Sequence, residues 1–159
     1  MLVNNRHIIN ICKEITDRNL DIQFDIAGGY VNSFNDDVID HLAEAGMVST
    51  ILNIEHGSEY IRDEVIRKSI DTDKIYDVMD SLRQYGTCIG TSWIMGFPED
   101  TNETLQDTYD LIEDIKPFQF KSIGVFKSSS PSLKTPLVPY QYLNTSLFFF
   151  IDKNYISDN

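Results

Sequence analysis

Cysteine is scarce in this 159-residue chain: Cys12 and Cys88 are the only two, and they belong to no C-x-x-C pair. That leaves too few thiolates for a cysteine-ligated cluster or a structural zinc site. Cys12 falls on the apolar stripe of a helix and Cys88 opens a strand, so both read as plain buried thiols. His7, His41 and His56 are scattered, and only His56 has neighbours of chemical interest. Positive charge is also in short supply. With 13 Lys+Arg against 25 Asp+Glu the formal charge is −12, which disfavours nucleic acid and anionic membrane surfaces as partners. No apolar run approaches the roughly 18 residues of a membrane span, and the start MLVNNRHIIN lacks the basic-then-apolar order of a secretory signal, so the expected location is cytoplasmic. The length excludes a closed eight-stranded (β/α) barrel, which takes about 250 residues and rarely fewer than about 200.

What is present describes one soluble domain, 42% hydrophobic and 24% charged, long enough to bury roughly two thirds of its unfolded surface. Ile8, Ile11, Cys12 and Ile15 set one stripe on a helix within residues 3–19. Residues 21–27 then alternate, with Ile22, Phe24 and Ile26 facing one way and Gln23 and Asp25 the other, which predicts a strand. Asn35 or Asp36 caps a helix carrying Val38, Ile39, Leu42 and Ala43, and Gly46 stops it.

The unit repeats. Residues 48–55 read as a strand in which Leu52 and Ile54 oppose Ile51, Asn53 and Glu55, and Ser58 begins a short helix with Ile61, Val65 and Ile66. A helix from Thr72 to Tyr85 places Ile75, Val78, Met79 and Leu82 at i, i+3, i+4 and i+7. A strand follows over residues 87–97, closed by Pro98. Asp100 and Glu103 resemble a capping box opening a helix with Leu105, Leu111, Ile112 and Ile115. Pro117 breaks it, and residues 119–127 supply a fourth strand.

Strands alternating with helices argue for βαβ units and a parallel sheet, so the fold class is α/β. Both faces of a doubly wound sheet should be apolar, yet Gln23, Asp25, Asn53, Glu55 and Ser92 sit opposite their strands' most apolar residues. Polar inner faces suit a partial, incompletely filled barrel that holds a ligand; an edge strand wetted on one side is the plainer alternative. The tail, residues 128–159, changes character: SSSPSLKTPLVP is a loop by composition, and the aromatic stretch containing Phe148, Phe149, Phe150 and Ile151 is a strand, a docked turn or an exposed patch.

Two strand ends concentrate the chemistry. In NIEHGSEYIRDEVIRKS a carboxylate and a histidine lie at the carboxyl end of a strand, followed by Gly-Ser at a helix start, where ligands of parallel sheets bind. Glu55 is suited to accept hydrogen bonds from a ribose diol or an amine; the plainer reading is a carboxylate paired with Arg62 or Lys68. His56 as a general base is a further reading. In TSWIMGFPEDTNET, Gly96 removes a side chain as the strand leaves the sheet and Phe97-Pro98 makes a stiff apolar turn, a ledge for a flat aromatic ring or simply a tight turn.

In this order and spacing, IEHGSEYIRDEVIRKS followed by YGTCIGTSWIMGFPEDTNETLQDTYDLIEDIKP resembles the radical S-adenosylmethionine (SAM) superfamily, in the branch whose members often carry a cobalamin-binding domain upstream. FDIAGGYVN and LAEAGM resemble the strand and helix that precede the first motif there, and the likeness covers residues 3–127. The resemblance implies a partial (β/α) barrel holding SAM at the carboxyl ends of its strands, where a 4Fe–4S cluster cleaves the cofactor to a 5′-deoxyadenosyl radical. By motif position, Glu55 would contact the ribose or amino-acid portion. Ile94, Gly96 and Phe97 would line the adenine, Lys68 or Arg67 would offset the cofactor's carboxylate, and Asp25 and Asn53 would face the lumen.

The chain also departs from that pattern. His56 stands where serine is usual, Glu99-Asp100 replaces Gly-Glu, and a Pro-Gly-Thr after the last matched strand is missing. No C-x-x-x-C-x-x-C loop is present, so this chain offers no ligands for the cluster, and cobalamin would belong to a domain elsewhere. The expectation is therefore a carboxyl-side fragment, residues 1–127 followed by a divergent tail, that keeps part of a SAM cradle, is inactive alone and carries no catalytic or metal-binding residue. Two alternatives are a binding module completed by a partner chain, and an unrelated lyase or hydrolase using Glu55 and His56. An open half barrel is also expected to self-associate.

Overall fold

The apolar stripe from Ile8 to Ile15 becomes helix α1, Asn5–Asp17, whose N-cap Asn4 side chain accepts the His7 N–H. It is the first element of a computed structural model that describes residues 4–125. The elements that follow are β1 (Phe24–Tyr30), α2 (Asp36–Glu44), β2 (Met47–Glu55), α3 (Thr72–Gln84), β3 (Cys88–Met95), α4 (Asn102–Ile115) and β4 (Gln119–Val125). All strand pairs are parallel and the sheet order is β1-β2-β3-β4, the α/β arrangement expected from the alternation. The tail at residues 128–159 and the last two positions of the expected fourth strand lie outside the described residues.

Helices pack on one face of this sheet. Leu52 and Ile54 of β2 and Ile89 and Trp93 of β3 are buried there against α2, α3 and α4. Each such side chain removed from water contributes about 1.5–3 kcal/mol before entropy is counted. Trp93 keeps its indole N–H satisfied by donating to the Thr91 hydroxyl, 2.9 Å away on the same face. The opposite face is wetter and carries polar rungs between neighbouring strands. The Ser92 hydroxyl donates to Asn53 Oδ1 at 2.8 Å, and Ser49 donates to the Asp25 carboxylate.

Three local expectations are corrected. Strand β1 begins at Phe24 and runs to Tyr30, because residues 21–23 have no partner on β2, whose ladder with β1 starts at Met47. The short helix after Ser58 is a single wide π-type turn at Ile61–Val65. The cap of α4 is Thr101, whose hydroxyl accepts the Thr104 N–H while Thr104 Oγ1 accepts the Thr101 N–H, so the capping box is Thr-Thr. Asp100 instead accepts donors from the loop before it, described below.

Urea unfolding tests both the core and the cap. Leu52→Ala should cost about 2–5 kcal/mol as a cavity under the helices. Thr101→Ala should cost about 1 kcal/mol through the lost cap, while Glu103→Ala should leave stability within about 0.5 kcal/mol.

Candidate functional site at the carboxyl edge of the sheet

The carboxyl edge of β2 is shaped by Glu55. Its φ of 75° puts a non-glycine residue in the left-handed region, a strain that persists only where the surroundings over-determine it. The same residue closes a bulge: Asn53 pairs with Ser92, and Glu55 with Trp93. Its carboxylate is nearly buried, with side-chain exposure of 8%, and Oε1 accepts a charge-assisted hydrogen bond from Lys68 Nζ at 2.6 Å. The plainer sequence reading of Glu55, a paired carboxylate, is thus met by Lys68.

Arg62 takes a different part from the ion-pair partner considered for it. It is 0% exposed, and its guanidinium donates to four oxygens. Nη1 reaches the carbonyls of His56 at 2.7 Å and Gly57 at 2.6 Å, Nε the carbonyl of Ile70 at 2.9 Å, and Nη2 the Thr72 hydroxyl at 2.6 Å. Burial pushes the Arg62 pKa below its ordinary value, with Glu59 opposing the shift. Glu59 in turn accepts from the Thr72 amide and hydroxyl, which hold its carboxyl below the usual range. Gly57 is pressed against the start of a turn of α4, where a Cβ would lie 2.2 Å from the Thr108 Cα. The Gly57 N–H donates to the Thr108 hydroxyl at 3.0 Å.

The elbow after β3 is organised by Asp100. Gly96 turns with φ 88°, and the amides of Gly96 and Phe97 both donate to Asp100 Oδ2, at 2.6 and 2.9 Å. Pro98 has no N–H of its own, and the two amides before it converge on the Asp100 carboxylate, past the intervening Glu99. Asp100 Oδ1 lies 3.1 Å from His56 Nε2 and accepts the Thr104 hydroxyl at 3.2 Å. The buried His56 ring therefore joins the two loops, and the ring of Phe97 lies edge-on to it with centroids 6.3 Å apart. Phe97 accordingly offers the edge its backbone rather than its ring, beside half-buried Ile94.

His56 has no nitrogen left for a substrate. Nδ1 accepts the Ser58 N–H at 3.0 Å, Nε2 faces Asp100, and the side chain is 0% exposed. This geometry disfavours the acid–base reading of Glu55 with His56, because a general base must reach the proton it removes.

Glu55, Lys68, Asn53, Ile94, Gly96 and Phe97 thus meet at one edge of two adjacent strands. Asp25 does not join them. It pairs with Ser49, six residues before Glu55, or about 20 Å down the strand at the usual rise. Cys88 likewise starts β3 at the far edge, and Cys12 is buried on α1 with its thiol pKa raised by burial. Among the described residues no group of three or more His, Cys, Asp or Glu is placed to hold a metal ion. The residues of this edge supply no thiolates for an iron–sulfur cluster. They do fit a nucleoside cofactor in kind: a carboxylate for a diol, an ammonium for a carboxylate, and a side-chain-free elbow for a flat ring. Sequence reasoning missed Arg62, Asp100 and Thr108 as builders of this edge; the one signal for Asp100 was its place two residues after Pro98.

The family model of the radical SAM superfamily matches residues 3–112. The chain belongs to that superfamily, whose members use SAM and a 4Fe–4S cluster. An uncharacterized methyltransferase of Pyrococcus horikoshii is 31% identical over 106 residues, 67% of this chain and 23% of that protein. Among solved structures, coproporphyrinogen III oxidase HemN of Escherichia coli, a radical SAM enzyme, matches 79% of this chain and 29% of its own at 19% identity and a TM-score of 0.65. The radical SAM methyltransferase TsrM of Kitasatospora setae, solved with cobalamin and a 4Fe–4S cluster bound, matches 76% of this chain and 23% of its own at 16% identity and a TM-score of 0.59. The open sheet is therefore the radical SAM partial barrel in part, and this chain spans less than a third of the length of these relatives. No helix among the described residues is long and apolar enough to cross a membrane.

Two measurements probe this edge. Arg62→Leu orphans three carbonyls and should cost at least about 3 kcal/mol in urea unfolding. Burial keeps the His56 pKa below its ordinary 6.5, outweighing the opposing pull of Asp100. The unfolded chain then binds more protons than the folded one between that depressed value and pH 6.5, so stability should rise with pH across this interval. Urea midpoints from pH 5 to 7.5 should climb in the wild type and flatten in His56→Gln.

Proposed function

We propose that this chain forms the carboxyl-side part of a SAM cradle within a radical SAM enzyme. Glu55 accepts the ribose hydroxyls or the amino group, Ile94 and the backbone of Gly96 and Phe97 form the ledge for adenine, and Asn53 borders the ring from the next strand. Lys68, half-exposed beside Glu55, balances either that carboxylate or the cofactor's own. The observation that carries the reading is that Glu55 and the Gly96-Phe97 elbow end adjacent parallel strands at the same edge. Cluster ligation, reductive cleavage of SAM and any cobalamin chemistry belong on this reading to other parts of an enzyme longer than this chain, so the chain alone is inactive.

A specific observation favours a partner that completes the barrel. Strand β1 is an outer strand of the sheet, and Ile11, Leu20, Ile22 and Val48, around its start, are exposed at 40–48%. Unpaired edges and apolar surface of this kind call for cover, by a further βα unit, a second chain or a second copy.

Titration calorimetry with SAM and with S-adenosylhomocysteine tests the cradle. Saturable binding is expected, weakened about tenfold by Glu55→Gln, equivalent to ~1.4 kcal/mol. No saturable heat at millimolar ligand would sink the cradle, and an unchanged affinity in Glu55→Gln would remove that residue from it. Sedimentation should report self-association; a monomer at high concentration would count against the uncovered edge.

A further inference from the structure

We propose that His56 is a positioning residue: as its neutral Nε2–H tautomer it ties the turn after β2 to the elbow after β3 and so sets the distance between Glu55 and the backbone of Gly96 and Phe97. The inference rests on the cradle reading for its ligand, but the tie itself stands on hydrogen bonds alone. The ladder between β2 and β3 ends at the pair Glu55 and Trp93. Beyond it the two strands part, and side chains must hold their ends in register.

The direction of the proton follows from the partners. A backbone N–H can only donate, so the Ser58 amide, 3.0 Å from Nδ1, requires a lone pair there. The proton then sits on Nε2, 3.1 Å from Asp100 Oδ1. Asp100 passes the constraint on, since its Oδ2 receives the amides of Gly96 and Phe97. One imidazole thus spans from the residue after Glu55 to both residues of the elbow through a single carboxylate. The remaining groups around the ring select neither nitrogen. Arg62 lies on the side of the turn and Asp107 on α4, their charges opposing each other at the ring, and the Thr108 hydroxyl lies 3.4 Å from Nδ1 and 3.5 Å from Nε2. A second ring proton would face the Ser58 N–H directly, donor against donor, so protonation loosens the tie at the β2 side while leaving the Asp100 side intact.

Long-range 1H–15N spectra of the histidine-labelled chain, with amide exchange at Gly96 and Phe97, read the tie directly. The wild type should carry its His56 proton on Nε2 at pH 7.5. His56→Ala should raise exchange at Gly96 and Phe97 about tenfold, with no change in β1, and weaken SAM binding about tenfold. His56→Gln, whose side-chain amide can donate to Asp100, should restore both. An Nδ1–H tautomer in the wild type, or unchanged exchange in a folded His56→Ala, overturns the proposal, as does raised exchange with unchanged SAM affinity. If His56→Ala does not fold, Asp100→Asn takes its place, expected to raise exchange at the same two amides; unchanged exchange there overturns the tie. A wild type with the expected tautomer and coupled exchange that binds no SAM removes the cradle and leaves the tie, so the two failures are distinct.

Discussion

The carboxyl edge of this sheet rests on a charge taken out of water. A buried guanidinium is tolerated only when its donors are met, and Arg62 meets four oxygens from three stretches of chain: the turn after β2, the segment at Ile70 and the start of α3. The first two of these belong to no helix or strand. Arg62 pins the His56 and Gly57 carbonyls directly after Glu55, which opposes any shift that would relieve the left-handed backbone there. The strained residue is the one whose carboxylate faces Lys68 at the strand end, so rigidity and chemistry coincide.

From this anchor the constraint reaches the next strand. His56 and Gly57, whose carbonyls Arg62 holds, also reach beyond the turn: His56 meets Asp100 of the elbow, and the Gly57 N–H donates to Thr108 of α4. Two loops that the sheet alone would leave independent therefore behave as one surface. That surface is polar at Glu55 and Lys68 and free of a side chain at Gly96. The separation of labour across the sheet is clear: Trp93, Leu52 and Ile54 face the helices and provide cohesion, while Asn53 and Ser92 face away and pair with each other across strands.

Membership of the radical SAM superfamily and the thiol inventory of this chain point to a division of parts. The superfamily's cluster needs thiolates that Cys12 and Cys88 cannot supply from a helix interior and the opposite edge. On the proposed reading, the cluster ligands lie in a part of the enzyme other than this chain.

Much of this was legible without coordinates. Periods of 3.6 and 2 are local properties, so α2, α3 and β2 lay within a residue or so of where hydrophobic spacing put them, and the order of strands and helices announced a parallel sheet. Motif order also marked Glu55 and Gly96, since strand ends in such sheets gather at one edge. Asp25 shared a face with Asn53 by parity, but parity carries no height along the strand, and the register alone placed it at the far edge. The role of Asp100 was equally hidden: spacing suggested a helix cap, and only the approach of His56 and two orphaned amides from before Pro98 drew its carboxylate elsewhere. Local pattern decides which face a residue occupies; which distant groups compete for its hydrogen bonds is decided by the packing of loops that share no periodicity.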